Sequence, residues 1–292
     1  MQTLQYIVKT SKQKIMNTKM IIFCCVFLLL SWTYDQPYLQ FIHEKQYPIT
    51  WCIFPFYMSA YAILAVFYLG IVYIHSDVPF MQYHNMYQVI RTGRLRWVVG
   101  QIGGIICRSF FAVIVTAIGA ILPFAGNLEW SNNWGKLAKT LSMQGIEKNF
   151  GFAENSFVDF RFFYEIMQKK TPLELMTHTV LVCTLICSFL GILMFVLSLY
   201  ISKMIAVAGA LASIVAFFIV QNIYGKWKLI LAHFVPTYWA EIALSATPVS
   251  GRYRMPSLLY IYLVLIICII LMAGLLCYNV KDIEFNWENE EA

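Results

Sequence analysis

Long uncharged hydrophobic stretches alternate along this chain with shorter segments that hold almost all of the charge. The charged residues bound six such stretches, at about 16–34, 51–74, 100–123, 176–201, 204–224 and 256–280. A helix needs roughly 20 apolar residues to cross the hydrocarbon of a bilayer, and backbone groups in lipid must pair within their own segment. The pattern therefore predicts six transmembrane helices, the first of which reaches full length only if Lys19 extends to the headgroups.

Composition supports a membrane protein. The chain has 292 residues, of which 60% are hydrophobic and 12% are charged, whereas about 25% of a soluble domain is charged. The net charge of +6 comes from residues between the apolar stretches, so no nucleic-acid partner is expected. These values exclude a soluble enzyme and predict one all-α integral membrane domain over residues 1–292, with membrane lipids around it.

Basic residues near the predicted spans set their orientation. The arm before the first span carries four lysines and no acid, and the connection after the second span carries Arg91, Arg94 and Arg96 against Asp77. Both segments are predicted to be cytoplasmic, which places both termini in the cytoplasm of a multi-pass protein of the cell (plasma) membrane. The loop before the sixth span is also basic, which disagrees with this orientation for the last three spans.

The N-terminal arm interleaves lysines with apolar side chains, from Tyr6 to Met16. This pattern is typical of an amphipathic helix on the anionic inner leaflet. A cationic leader that only sets orientation explains the same residues. No small-x-small cleavage site follows the first span, so we expect a retained anchor and not a signal peptide.

The connection between the second and third spans predicts a short amphipathic helix. Helical spacing places on one face Met86, Ile90, Gly93 and Trp97. A neighbouring stripe holds Tyr87, Arg91 and Arg94. Periodicity leaves two interpretations open: a docking surface for a cytoplasmic partner, or an interfacial helix whose arginines contact lipid phosphates.

Two further segments are predicted on the outer side. The loop 124–174 is the longest segment between spans and is rich in Trp and Phe, which predicts a small helical cap on the outer leaflet. One of its helices would begin at Ser131, end at Gly145 and share a face among Trp134, Leu137 and Leu141. A second would align Phe157, Phe160, Tyr164 and Met167. The segment before the sixth span is broken by Pro236 and Pro248, which predicts short re-entrant helices.

Arg108 is the only full charge that the predicted spans place at membrane depth, since Lys19 lies near the end of the first span. An intramembrane charge is a candidate functional group. No acid within the spans is available to pair with it. We therefore expect Arg108 to extend towards the inner headgroups; a place in a translocation path is the alternative.

The motifs of common enzymes and metal sites are absent from the sequence. It has no P-loop, no His-Glu-x-x-His and no Gly-x-Ser-x-Gly, and its eight cysteines form no Cys-x-x-Cys. We therefore predict no catalytic residue, no bound cofactor and no metal, and interpret the cysteines as packing residues.

The layout of spans and the stretch SDVPFMQYHNMYQVIRTGRLRWVVGQ resemble permease subunits of ATP-binding-cassette transporters, of the type-two exporter class found in Gram-positive bacteria. The resemblance implies that the connection after the second span is a coupling helix that docks on a separate ATPase. Its docking residues would be Tyr87, Arg91, Arg94 and Trp97. The resemblance also implies that ATP binds to the partner chain and that a second permease copy or homologue completes a dimer. The enlarged loop 124–174 departs from many members of that family.

Two other functions stay open. A non-transporting sensor or immunity protein would bind a ligand with the outer loop. A membrane enzyme acting on lipid or peptide would have only Arg108, His178 and Glu241 as polar candidates, and these are far apart in the sequence.

Overall fold

A computed structural model describes residues 15, 17–78, 84–143, 162–249 and 251–280 of the chain. The predictions for the N-terminal arm, for Gly145 and for Phe157 and Phe160 lie outside the described residues. In chain order the helices are α1 (Thr18–Lys45), α2 (Phe54–Tyr57), α3 (Tyr61–His75), α4 (His84–Thr92), α5 (Arg94–Ile121), α6 (Lys136–Leu141), α7 (Tyr164–Lys169), α8 (Pro172–Tyr200), α9 (Lys203–Asn222), α10 (Lys226–Leu231) and α11 (Leu258–Asn279).

Short elements connect these helices. Single turns of 3₁₀ helix lie at Leu122–Phe124, Pro236–Ala240 and Ile242–Leu244. The strands are two residues each: β1 (Ile49–Thr50), β2 (Leu128–Glu129), β3 (Pro248–Val249) and β4 (Arg252–Tyr253). β1 pairs with β2 in parallel and β3 pairs with β4 in antiparallel.

Five helices among the described residues are long and apolar enough to cross a membrane, namely α1, α5, α8, α9 and α11. The predicted second span at 51–74 takes a different form. It is divided into β1, the four-residue α2 and the 15-residue α3, and 15 residues reach only roughly 22 Å. Hydropathy does not show this division, because the whole run is uncharged. Pro55 lies in the first turn of α2, and the Ser59 hydroxyl donates to the Phe56 carbonyl just after that helix ends. The expected count of six spans is therefore not confirmed.

α1 is longer than the predicted span at 16–34. It has 28 residues and continues through Asp35 and Pro37 to Lys45, where a loop was expected. The continuation is stable because Tyr38 and Phe41 are buried, so packing offsets the missing hydrogen bond at the proline. α1 is about 42 Å long, which exceeds the thickness of the bilayer hydrocarbon. Its second half therefore extends beyond the predicted span.

α8 lies at the centre of the bundle and packs against α5, α9 and α11, while α1 packs against α3 and α5. α8 begins at Pro172, four residues before the predicted span at 176–201, because Thr171 and Glu174 form a reciprocal capping box and Pro172 occupies the first turn. Gly191 permits close contact with α5, since a Cβ atom there would lie 2.6 Å from the Ile105 side chain.

The connections at one end of the bundle fold into a packed layer, which we call the cap end. The Trp51 indole donates to the Ser131 carbonyl at 3.0 Å, and the Trp134 indole donates to the Lys170 carbonyl at 2.9 Å. Trp134, Leu137 and Leu141 are buried together, as predicted. Ser131, however, does not cap a helix: α6 begins after Gly135, and the Ser131 hydroxyl donates to Glu129. Further along the same layer, Met167 is buried whereas Tyr164 is exposed.

Candidate functional site at the basic end

The opposite end of the bundle, where α1 begins, is called the basic end. Polar side chains from three helices and the residues after α3 contact one another there. We call them the polar layer: Lys19, His75, Ser76, Asp77, Arg108 and Ser109. The Lys19 ammonium donates to the Ser76 hydroxyl at 2.5 Å, and His75 Nε2 lies 3.1 Å from the Ser109 hydroxyl. These contacts join the start of α1 and the end of α3 to the middle of α5.

Arg108 is the centre of the polar layer. Its guanidinium Nη1 donates to Asp77 Oδ1 at 2.7 Å and to the Ile74 carbonyl at 3.2 Å. The expectation that Arg108 has no acidic partner and extends to the headgroups is wrong, because the side chain is 2% exposed and ion-paired. Asp77 follows α3 directly, and only the packing of α3 on α5 brings it beside Arg108.

A second, smaller hydrophobic core lies beyond the polar layer. Its central members are Val89, Trp97, Phe195, Leu276 and Val280. The Trp97 and Phe195 rings meet edge to face, with centroids 5.8 Å apart. This core contains residues of α4, α5, α8 and α11, so α4 is attached to the ends of three long helices and does not lie free on the surface.

The amphipathic segment is two helices and not one. Gly93, with a φ of +82°, separates α4 from Arg94, the first residue of α5. The break changes which side chains share a face: Val89 is buried, while Ile90 is 68% exposed. The predicted apolar face that joined Ile90 to Trp97 is therefore wrong, since the spacing assumed an uninterrupted helix.

The four predicted docking residues have different environments. Tyr87 is 62% exposed, and Arg91 and Arg94 are exposed as well. Trp97 is buried in the second core, so it offers no surface to a partner and instead anchors α5 to α8. The Arg94 guanidinium also donates to the Val280 carbonyl at 3.5 Å, which ties the start of α5 to the end of α11.

Two exposed neighbours complete this surface. Leu95 is 50% exposed and Arg96 is exposed at the start of α5. We define the basic-end surface as Tyr87, Ile90, Arg91, Arg94, Leu95 and Arg96. Leu95 could not be assigned from the periodicity, because its exposure depends on the register that α5 takes after Gly93. The surface combines aromatic, aliphatic and guanidinium groups, a composition enriched in protein interfaces.

The chemistry available in the described ranges is binding and not metal ligation. Within 17–78, 84–143, 162–249 and 251–280, no three His, Cys, Asp or Glu side chains are grouped so that they could hold a metal ion. The cysteines of the chain are free thiols, and those at 52, 183 and 187 are buried. His178 bonds to the Tyr262 hydroxyl at 3.0 Å, between α8 and α11.

Comparisons with known protein families, with curated proteins and with solved structures find no match to this chain. The class of protein therefore follows from the fold itself. Several long apolar helices packed around α8 define a helical, multi-pass membrane protein.

Proposed function

We propose that this chain is the permease subunit of an ATP-driven exporter and that it couples to a separate ATPase through the basic-end surface. The observation that carries the proposal is the two-sided placement of α4. Val89 fixes the helix in the second core, while Tyr87, Ile90 and Arg91 on its other sides are exposed. A short helix with a buried anchor and an exposed aromatic and basic surface is suited to dock in an acidic groove.

The packing supplies a route from this surface to the long helices. A displacement of α4 reaches α8 and α11 through Val89 and through the contact between Trp97 and Phe195. The polar layer then carries it from α5 to α3 through the ion pair of Arg108 with Asp77. Connected, rigidly packed helices move as bodies, so partner closure at the basic end would reorient the bundle as a unit.

The partner chain would bind ATP and supply the energy. A second permease copy or a homologue would complete the translocation path, with α1, α9 and α11 as the long helices least buried within one copy. α11 in particular exposes Leu259, Ile270 and Leu271 by 61–72%. Such apolar surface is stable against lipid or against another transmembrane helix.

Co-purification tests the proposal. The tagged chain is isolated from its host in mild detergent, and an ATPase is expected to accompany it. Reversing two charges with Arg91→Glu and Arg96→Glu should release the ATPase, because both side chains are exposed on the basic-end surface. Lys226→Glu with Arg252→Glu is the matched control, since it reverses two exposed charges at the cap end. Absence of an ATPase from the wild-type preparation, or its retention by the first variant, would refute the proposal.

A non-transporting sensor or immunity protein is the second candidate function, and one observation at the cap end favours it. Trp130 is 74% exposed and stacks on Trp51 with centroids 6.4 Å apart. An exposed, stacked indole pair is a platform for an apolar or cationic ligand. Trp130→Ser should abolish ligand binding or protection if this function is correct, and should leave the ATPase attached if the chain is a permease.

A further inference from the structure

Glu241 is a fully buried acid at the cap end, and its surroundings differ from those of an ordinary buried charge. It lies between the two 3₁₀ helices that precede β3 and is 0% exposed. Neither of its carboxylate oxygens has a hydrogen bond of normal length, although the Gln221 amide is near enough to favour the ionised form. An ionised carboxylate in such a place costs several kcal/mol or more, so the arrangement in the structure is that of a neutral carboxylic acid.

Unpaired donors are gathered around the same acid. The Gln221 amide nitrogen, the Tyr238 hydroxyl and the Arg254 Nε are buried atoms without a partner in the described structure. Gln221 and Arg254 lie close enough to Glu241 to favour its ionised form. Native proteins leave few buried polar atoms unsatisfied, and a concentration of them at one acid indicates a site that exchanges a ligand.

The segment that holds Glu241 is bound to the bundle by contacts on several sides. The Tyr68 hydroxyl of α3 donates to the Thr237 carbonyl at 2.6 Å, and the Thr237 hydroxyl donates to the Ser213 carbonyl of α9 at 2.7 Å. The Trp239 indole donates to the Ala232 carbonyl at 2.6 Å. The segment that carries the acid is therefore held against α3, α9 and the end of α10. A proton can bind to the enclosed carboxylate because it needs no additional space.

We propose that Glu241 is a proton-binding site whose occupancy decides how the segment 223–257 packs on the bundle. With the proton bound, the carboxylic acid is neutral and the packed arrangement of the structure is stable. When the O–H bond breaks and the proton passes to water, the carboxylate requires donors. Those donors are the Arg254 guanidinium, the Gln221 amide and the Lys228 ammonium, which now donates to the Gln221 carbonyl at 3.0 Å. Reaching them changes the contacts between α9, α10 and the residues after β4.

The electrostatics of the site agree with two states of Glu241, one protonated and one ionised. Burial raises the pKa of the Glu241 carboxyl from 4.5 to about 8, and Gln221, Lys228 and Arg254 oppose that rise. Burial, followed by repulsion from Arg254, lowers the pKa of Lys228. Of the other titratable groups, Tyr68 of α3 and Tyr238 of the segment interact electrostatically with Glu241. The elements packed around the segment also carry Tyr57 of α2, Tyr61 and His75 of α3, His178, Cys183 and Cys187 of α8, and Tyr260 and Tyr262 of α11, and the segment itself carries His233, Arg252 and Tyr253.

Infrared difference spectroscopy of the full chain in lipid nanodiscs tests the proposal, which does not depend on the exporter function. The carbonyl band of a protonated carboxylic acid should disappear from the wild-type spectrum as the pH rises through about 8. The amplitude of this change should be smaller in Glu241→Gln, because the buried Asp35 of α1 is a second source of such a band. It should be unchanged in the matched control Glu165→Gln, whose side chain is exposed. A pH-dependent band that is identical in wild type and Glu241→Gln, or no such band in wild type, would overturn the proposal.

A second pair of variants keeps the test decisive if Glu241→Gln does not fold. Arg254→Gln removes a positive charge that favours the carboxylate, so the band should persist to higher pH. Arg252→Gln removes an exposed charge two residues earlier and should leave the midpoint unchanged. Amide hydrogen exchange in 226–249, corrected for intrinsic rates, should rise above the same midpoint relative to α8. Equal midpoints in the two arginine variants, or unchanged exchange, would overturn the linked rearrangement.

Discussion

The two ends of the bundle differ in the partners that surround a buried ionisable side chain. At the basic end, the Arg108 guanidinium has a carboxylate partner at 2.7 Å and backbone carbonyls beside it. At the cap end, Glu241 is at least as buried but has no hydrogen bond of normal length on either oxygen. A paired charge holds helices in a fixed arrangement, whereas an unpaired acid stays buried only while it is neutral. We therefore propose that the basic end transmits displacement and that the cap end responds to pH.

Breaking the ion pair should give the largest effect. Asp77→Ala leaves the Arg108 charge buried without its carboxylate, and removal of one partner of a buried pair costs about 3–5 kcal/mol. Thermal unfolding in detergent should show a large loss of stability. Adding Arg108→Met to Asp77→Ala should restore part of it, because the uncompensated charge is removed. Glu165→Ala, at an exposed acid, is the control. If the single and double variants lose equal stability, the pair is not what holds α3 to α5.

The comparison also predicts that Glu241 makes the stability of the cap end depend on pH. Its folded-state pKa of about 8 exceeds the ordinary 4.5, so the folded chain retains a proton that the unfolded chain releases. The free energy of unfolding should therefore fall as the pH rises from about 4.5 to about 8, by on the order of 5 kcal/mol.

Chemical denaturation at several pH values measures this slope. Glu241→Gln should flatten the profile over the same interval and should be more stable than wild type at the alkaline end. Arg252→Gln should leave the slope unchanged. A profile of Glu241→Gln that still falls as steeply as that of wild type would assign the pH dependence to another group.

Much of the fold, but less of the site, could be predicted from the sequence. Length and hydropathy locate the five long helices, because lipid requires long uncharged runs whatever the packing. The same rule could not show that α2 and α3 divide one run, since the division depends on local geometry around Pro55 and Ser59. Periodicity correctly predicts that Tyr87 and Arg91 share an exposed surface. It wrongly groups Trp97 with Ile90 on one apolar face, because one glycine with positive φ resets the register.

The importance of Asp77 and Glu241 could not be predicted, because both depend on contacts distant in the sequence. Asp77 lies 31 residues from Arg108. Glu241 lies in the mostly apolar stretch 238–244 and becomes buried only when its segment packs on α2, α8, α9 and α11. Burial of a single acid is a property of tertiary structure, and hydropathy along the chain cannot predict it.

A smaller effect separates anchoring from docking on α4. Tyr87→Ala should weaken binding of the ATPase by about 2 kcal/mol, or roughly 30-fold, if Tyr87 is a central interface residue. The stability of the Tyr87→Ala variant should equal that of wild type, because the Tyr87 side chain is 62% exposed. Val89→Ala is the matched variant two positions away, and it should lower stability because Val89 is buried in the second core. Binding assays and thermal unfolding on both variants measure the two properties. Equal effects of both variants on stability would mean that α4 has no distinct outward face.

The smallest expected effect concerns the junction between α4 and α5. Gly93→Ala adds a methyl group that meets nothing within 4 Å, so the cost is conformational and not steric. An L-residue at a φ of +82° is strained by about 1 kcal/mol. Gly126→Ala is the control, because that glycine also has open space but no positive φ. Thermal unfolding should separate the two variants by a few degrees. If instead Gly93→Ala is as stable as wild type, α4 has straightened onto α5, and Ile90 and Trp97 would then share the apolar face that the sequence alone predicts.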